Sequence, residues 1–299
     1  MSNNIAVFGL GSMGYGIAMS LLSAGHTVYG FDVVEARVRQ FEAAGGHRAG
    51  LAAIGGELDT AVVVVLNAAQ TQDVLFGSSG VVAALRAGAC VIACATVPPA
   101  FARHAAARCE ERGVLYLDAP ISGGSVKAAQ GALSVMAAGS EAAFAGARPA
   151  LDAMAETVFE LSSDVGVGSA MKAVNQLLAG VHIASMGEAL AFGLSQGMEP
   201  AQLVAVISKC AGSSWMFENR APHVVAGDYT PHSAVDIWLK DLGIVLDIAK
   251  EAKFPAPLAA AALQQFTAAA AAGLGGEDDA AVVKVYARNA GLRLPGDAV

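Results

Sequence analysis

Charge is sparse in this 299-residue chain: Asp, Glu, Lys and Arg together make up 15%. The 18 Lys and Arg are outnumbered by 26 Asp and Glu. Residues 1–163 and 164–299 each carry 9 basic and 13 acidic groups, which leaves no basic face or tail. That argues against nucleic acid or an anionic membrane surface as a partner. Long hydrophobic runs are missing too. A membrane span needs about 20 nearly uninterrupted apolar residues, and no purely aliphatic run is longer than the one at 61–66. The mean hydropathy of +0.52 comes from Ala and Val spread along the chain, so the expectation is a soluble protein with no membrane span. Cysteine is rare. Cys90, Cys94, Cys109 and Cys210 fit no zinc-ligand spacing and read as reduced, inert thiols. No metal-ligand constellation is legible. Met1-Ser2-Asn3-Asn4 carries no positive charge ahead of its apolar stretch, so no export signal is visible and the expected location is cytoplasmic.

What the chain has in abundance is apolar side chain, 55% of residues, enough for a large core. At about 150 residues per domain the length suggests two domains. The first part alternates between two periods. Apolar runs at 5–10, 27–31, 62–66 and 89–95 read as strands, and the last two are nearly unbroken, as in parallel strands buried on both faces. Residues 14–22 have helical spacing, and Pro98-Pro99 opens a helix over 100–112. Shorter strands are expected at 114–117, 133–138 and 157–161. This alternation predicts an α/β fold, a Rossmann-type doubly wound sheet over 1–163. Beyond Ser162-Ser163-Asp164 the strand pattern stops. Residues 169–195 read as one helix about 40 Å long, and the rest, including the Ala-rich stretch 258–272, reads as helices with polar turns. The expectation is an all-α domain over 164–299, joined by the long helix and serving substrate and subunit contacts.

Gly9-Leu10-Gly11-Ser12-Met13-Gly14 fits G-x-G-x-x-G, with a strand before it and a helix after it. A second strand ends in Asp32, 18 residues beyond Gly14, near the spacing of about 20 in dinucleotide-binding units. Each glycine has a job. Gly9 permits the tight turn, Gly11 lets a pyrophosphate approach the backbone, and Gly14 lets helix and strand pack closely. The phosphates would sit on free N–H groups at the positive helix end. Asp32 can accept from a ribose 2′-hydroxyl and repels a 2′-phosphate, which predicts NAD over NADP. Arg37 and Arg39 are expected on the outer face of the next helix. The plain alternative is a glycine turn of no consequence.

This opening, continued through Gly25-His26-Thr27-Val28, resembles the 3-hydroxyisobutyrate dehydrogenase (β-hydroxyacid dehydrogenase) family. Three later segments agree: Asp118-Ala119-Pro120-Ile121-Ser122-Gly123-Gly124, Gly166-x-Gly168-x3-Lys172-x2-Asn175, and Lys240-Asp241-Leu242. The resemblance implies Lys172 as catalytic acid/base and Asn175 as the residue orienting substrate. It implies a carboxylate site at Ser122, Gly123 and Gly124. Cofactor contacts are implied along the 9–14 turn and at Asp32, Leu66, Asn67, Thr96 and Lys240. Asn67 stands where the family has proline, which puts that contact in question. Homodimers and homotetramers are both implied. Ser214-Trp215-Met216-Phe217-Glu218-Asn219-Arg220 and Gly227-Asp228-Tyr229-Thr230-Pro231 most resemble the L-threonate branch of the family.

The residues support the same chemistry by themselves. Lys172 is one of seven lysines and lies in an apolar helical stretch. Asn175 follows at i+3 and shares its helix face. To accept a proton from an alcohol, a lysine must fall from its ordinary pKa of about 10.4, which burial and a cationic nicotinamide both promote. The alternative is a lysine laid along apolar surface with its head in water. Ser122-Gly123-Gly124 could equally be an ordinary turn, and Lys240 could be a solvated charge paired with Asp236 at i−4. His182, Ser213, Ser214 and Asn219 are candidates for recognising substrate hydroxyls. The expected activity is NAD-dependent oxidation of a small hydroxy acid. The competing readings are 3-hydroxyisobutyrate dehydrogenase, tartronate semialdehyde reductase and, in another class, a non-catalytic NAD-sensing module.

Overall fold

The computed structural model describes residues 2–296. Two compact units divide the chain at Lys172/Ala173. The sheet itself ends close to Ser163, where the sequence changes texture.

The first unit is built on eight strands: β1 (Asn4–Phe8), β2 (Thr27–Phe31), β3 (Thr60–Val63), β4 (Cys90–Ala93), β5 (Leu115–Asp118), β6 (Ile121–Ser122), β7 (Leu133–Ala138) and β8 (Ala155–Ser162). Their order is β2-β1-β3-β4-β5-β7-β6, with β8 also on β7. β1 to β5 pair in parallel. The helices interleaved with them are α1 (Ser12–Ser23), α2 (Glu35–Ala43), α3 (Leu51–Ile54), α4 (Ala68–Phe76), α5 (Val81–Ala84), α6 (Pro99–Glu110), α7 (Gly124–Ala129) and α8 (Glu141–Met154). β3 and β4 are buried along their whole length, as their unbroken apolar runs require. Burial pushes the thiols of Cys90, Cys94 and Cys109 up to about 12, so they stay protonated.

Strand bounds and pairing differ in detail from the sequence reading, and β3 spans Thr60–Val63 where 62–66 is expected. β1 stops at Phe8, because Gly9 turns out of the strand at φ +95°. The antiparallel pairing of β6 with β7 does not follow from the strand pattern. β7 also runs antiparallel to β5. Arg37 is exposed on α2, as expected, and its Nη1 lies 3.5 Å from Asp32 Oδ2.

α9 (Val167–Ser195) opens in the first unit and continues into the second, followed by α10 (Pro200–Ile207), α11 (Trp215–Ala226), α12 (Val235–Glu251), α13 (Pro257–Ala269) and α14 (Val283–Asn289). By length and composition α9 could cross a membrane, and half of its apolar window is buried. In the second unit Ile183, Met186, Leu190, Trp238, Leu242 and Phe266 form the core. Gly180 and Gly187 let α9 lie close to its neighbours. A Cβ at Gly180 would stand 2.9 Å from Leu242, and one at Gly187 3.2 Å from Val282. The Ala-rich stretch is α13, ending in a π-type turn, Ala270–Leu274, broken at Gly273 (φ +85°).

Candidate active site

Parallel strands bring their carboxyl ends to one edge of the sheet. Gly9 to Gly14 follow β1, Leu66 and Asn67 follow β3, Thr96 follows β4, and Ser122 to Gly124 follow β5 through β6. The strand order reverses between β1 and β3, and the crevice outside such a switch point is where ligands bind.

Gly9 and Gly14 serve the turn and the close packing that the sequence suggested. A Cβ on Gly9 would stand 2.2 Å from the Val64 carbonyl, and one on Gly14 1.8 Å from the Gly9 carbonyl. Those two are dictated by packing. A Cβ on Gly11 would meet only Arg37, at 3.9 Å. Packing does not demand glycine there, and the open backbone leaves room for a second molecule. Gly11 is also the N-cap of α1 and supplies no capping side chain, so the first N–H groups of α1 are left for an anion. The crevice therefore fits a dinucleotide. Asp32 braces it: Oδ2 accepts from Leu10 N at 2.7 Å and Oδ1 from Val34 N at 2.8 Å.

Asn67, the departure from the family pattern, has a local duty. Its side chain accepts from Gln70 N at 2.9 Å and caps α4. Leu66 is exposed and its N–H donates to Gln70 Oε1. Thr96 is half-buried just beyond β4. Gly123 and Gly124 hold φ +135° and +78°, which only glycine adopts without strain.

Lys172 is 8% exposed. The head of its helix is fixed by Asp118, the last residue of β5. Asp118 Oδ2 accepts from the N–H groups of Gly166 and Ser169, both at 2.9 Å, and Oδ1 accepts from Ser169 Oγ at 2.7 Å. Burial raises the Asp118 carboxyl above its ordinary value, opposed by the Ser169 and Gly166 bonds and the Arg103 charge. In the sequence Asp118 shows only as the first residue of a motif, with no role of its own.

In the second unit Asn175 Nδ2 donates to Gln176 Oε1 at 2.9 Å, and Gln176 Nε2 donates to Asp241 Oδ2 at 2.5 Å. Lys240 Nζ lies 2.5 Å from Asp241 Oδ1, the adjacent carboxylate. Nothing in the sequence marks Gln176 as part of a site, and Asp241 shows only as the middle residue of the Lys240-Asp241-Leu242 segment. The other polar candidates have local partners. Ser214 caps α11 by accepting from Phe217 N, Ser213 Oγ donates to Glu218, and Asn219 Oδ1 accepts from Arg220. His182 is half-buried on α9.

Residues 4–162 match the family described as the NAD binding domain of 6-phosphogluconate dehydrogenase. Residues 166–286 match the NAD-binding family of NADP-dependent 3-hydroxyisobutyrate dehydrogenase. With the crevice at the switch point, these matches define a nicotinamide-dinucleotide dehydrogenase. Within that class the chain belongs to the 3-hydroxyisobutyrate dehydrogenase family. It is 51% identical to the L-threonate dehydrogenase of Cupriavidus necator over the full length of both chains. It is 46% identical to that of Escherichia coli, over 98% of this chain and 97% of the relative. The crystal structure of a Salmonella typhimurium protein described as 3-hydroxyisobutyrate dehydrogenase superposes with a TM-score of 0.90 at 46% identity, covering 95% of this chain and 100% of that one.

Proposed function

We propose that this dehydrogenase oxidises L-threonate at C2 to 2-oxo-tetronate with NAD. The observation that carries the reading is full-length identity near one half with L-threonate dehydrogenases. Bound NAD supplies the hydride acceptor. Lys172 Nζ takes the proton of the reacting hydroxyl. Asn175 orients that substrate, and Ser122, Gly123 and Gly124 hold its carboxylate with a hydroxyl and backbone N–H groups, each charge-assisted bond contributing about 1.5–3 kcal/mol. Lys240 contacts the cofactor, together with Thr96, Leu66 and the 9–14 turn. Residues 1–163 serve as the cofactor domain and 164–299 as the substrate and subunit domain.

Asp32 favours NAD because its carboxylate meets a 2′-hydroxyl well and a 2′-phosphate badly. The protein acts in the cytoplasm as a homodimer or homotetramer. Exposed apolar side chains on α9, Leu178 and Phe192, support subunit packing, and the mass in solution checks it.

The deciding experiment follows NADH absorbance with L-threonate, 3-hydroxyisobutyrate and D-glycerate. L-Threonate should give the highest kcat/KM. Likeness to the Salmonella 3-hydroxyisobutyrate dehydrogenase favours a second reading, which a higher value for 3-hydroxyisobutyrate would establish. No absorbance change across a wide acid panel would point to a cofactor-sensing module.

A further inference from the structure

We infer that Gln176 is a positioning residue that sets which edge of the Asn175 amide faces the substrate. The inference rests on the reading of Asn175 as the substrate-orienting group. It follows from donor and acceptor chemistry along one chain of bonds. Asp241 is 3% exposed and ion-paired with Lys240 at 2.5 Å. An ionised carboxylate only accepts. The Gln176 amide, 8% exposed, must therefore turn its NH2 toward Asp241 Oδ2, and does so at 2.5 Å. That leaves Gln176 Oε1 as an acceptor, and Asn175 Nδ2 donates to it at 2.9 Å. Each amide orientation forces the next. With its NH2 engaged by Gln176, Asn175 presents its carbonyl oxygen on the opposite edge. A carbonyl oxygen asks its ligand for a proton donor, which a substrate hydroxyl provides. Burial of Gln176 matters because water cannot re-satisfy its amide after a flip.

Gln176→Met keeps length and removes both polar atoms. It should raise KM for L-threonate about tenfold and leave the Kd of NADH, read by fluorescence, within twofold, because Lys240 and Asp241 stay paired. If Gln176 acts through Asn175, Asn175→Ala and the double variant Asn175→Ala/Gln176→Met should share one KM. Asp241→Asn serves as the second variant should Gln176→Met fold poorly. Lys240 would claim the new amide oxygen, its NH2 would face Gln176, and the chain would reverse. KM should then rise and the Kd of NADH should weaken as well. Slow solvent exchange of the Gln176 side-chain amide protons, measured by NMR on the unliganded wild type, reads the bond to Asp241 without any substrate. Fast exchange would overturn the proposal, and so would additive KM effects of Asn175→Ala and Gln176→Met. Absence of L-threonate turnover by the wild type, with slow exchange intact, would instead count against the substrate reading.

Discussion

At the scale of single residues, the proposed chemistry rests on Lys172 and Asp32. Lys172 is the one lysine among the described residues that is buried. Its replacement by alanine should remove turnover while NADH binding stays within about threefold, as read by fluorescence titration. Asp32 does two jobs, since the oxygens that would meet a ribose also hold Leu10 N and Val34 N. Asp32→Asn keeps an acceptor for the turn and drops the charge. The kcat/KM preference for NAD over NADP should fall tenfold or more, about 1.4 kcal/mol, in parallel assays with each cofactor. The glycine turn and the place of Asp32 beside it were legible in the sequence because their signals are local. A glycine triplet fixes its own turn, and an acid at the end of the next strand has one place to go. The pairing of Arg37 with Asp32 was not legible, because helical period alone cannot say that a long side chain bends back 3.5 Å from a carboxylate.

At the scale of elements, two buried carboxylates set how the helices stand. Asp118 accepts three bonds from the head of α9. Asp118→Ala would leave those donors unpaired, each costing about 1–3 kcal/mol. Urea unfolding should show the loss, and kcat should fall with it because Lys172 is one turn further along. Asp118→Asn tests the charge alone. Because burial raises the folded carboxyl, the folded chain holds this proton more tightly than the unfolded chain. The stability contribution is complete below the ordinary carboxylate value and is lost as pH rises through the folded value. The asparagine variant should lack that part of the pH slope. Gly180→Val would place methyl groups against Leu242 and Trp238 and should cost about 1–3 kcal/mol in the same unfolding assay. Strands and long helices could be read from periodicity. The clamps could not: Asp118 meets Ser169 across 51 residues and Gln176 meets Asp241 across 65, and no local pattern reports a pairing at that range.

At the scale of the whole molecule, the sequence shows two textures and equal charge in each, and the structure adds where acid should act. Asp278 and Asp279 are both fully buried beside Arg220, with His223 2.9 Å from Asp278. Burial pushes Asp278 up, but bonds from His232 N–H, His223 and Ala280 N–H, with the Arg220 charge, outweigh it and hold the carboxyl below its ordinary value. Stability from this group is present above the ordinary carboxylate value and is lost as pH falls through the folded one. Asp278→Asn should be less stable at pH 7, and it should lose less of its remaining stability below about pH 4, followed by circular dichroism. Saturating NADH should raise the unfolding free energy of the wild type by about 2.7 kcal/mol at a hundred times Kd.

Gly180 and Gly187 stand seven residues apart on α9, each facing a neighbour too close for a side chain. Turning the helix by one residue, about 100°, would drive Val181 and Glu188 into those gaps. The paired notches act as a keyway that indexes the azimuth of the rod. That setting decides which compass direction residues 175 and 176 take, so a one-residue insertion below Gly180 should misalign the amides even where the helix stays intact.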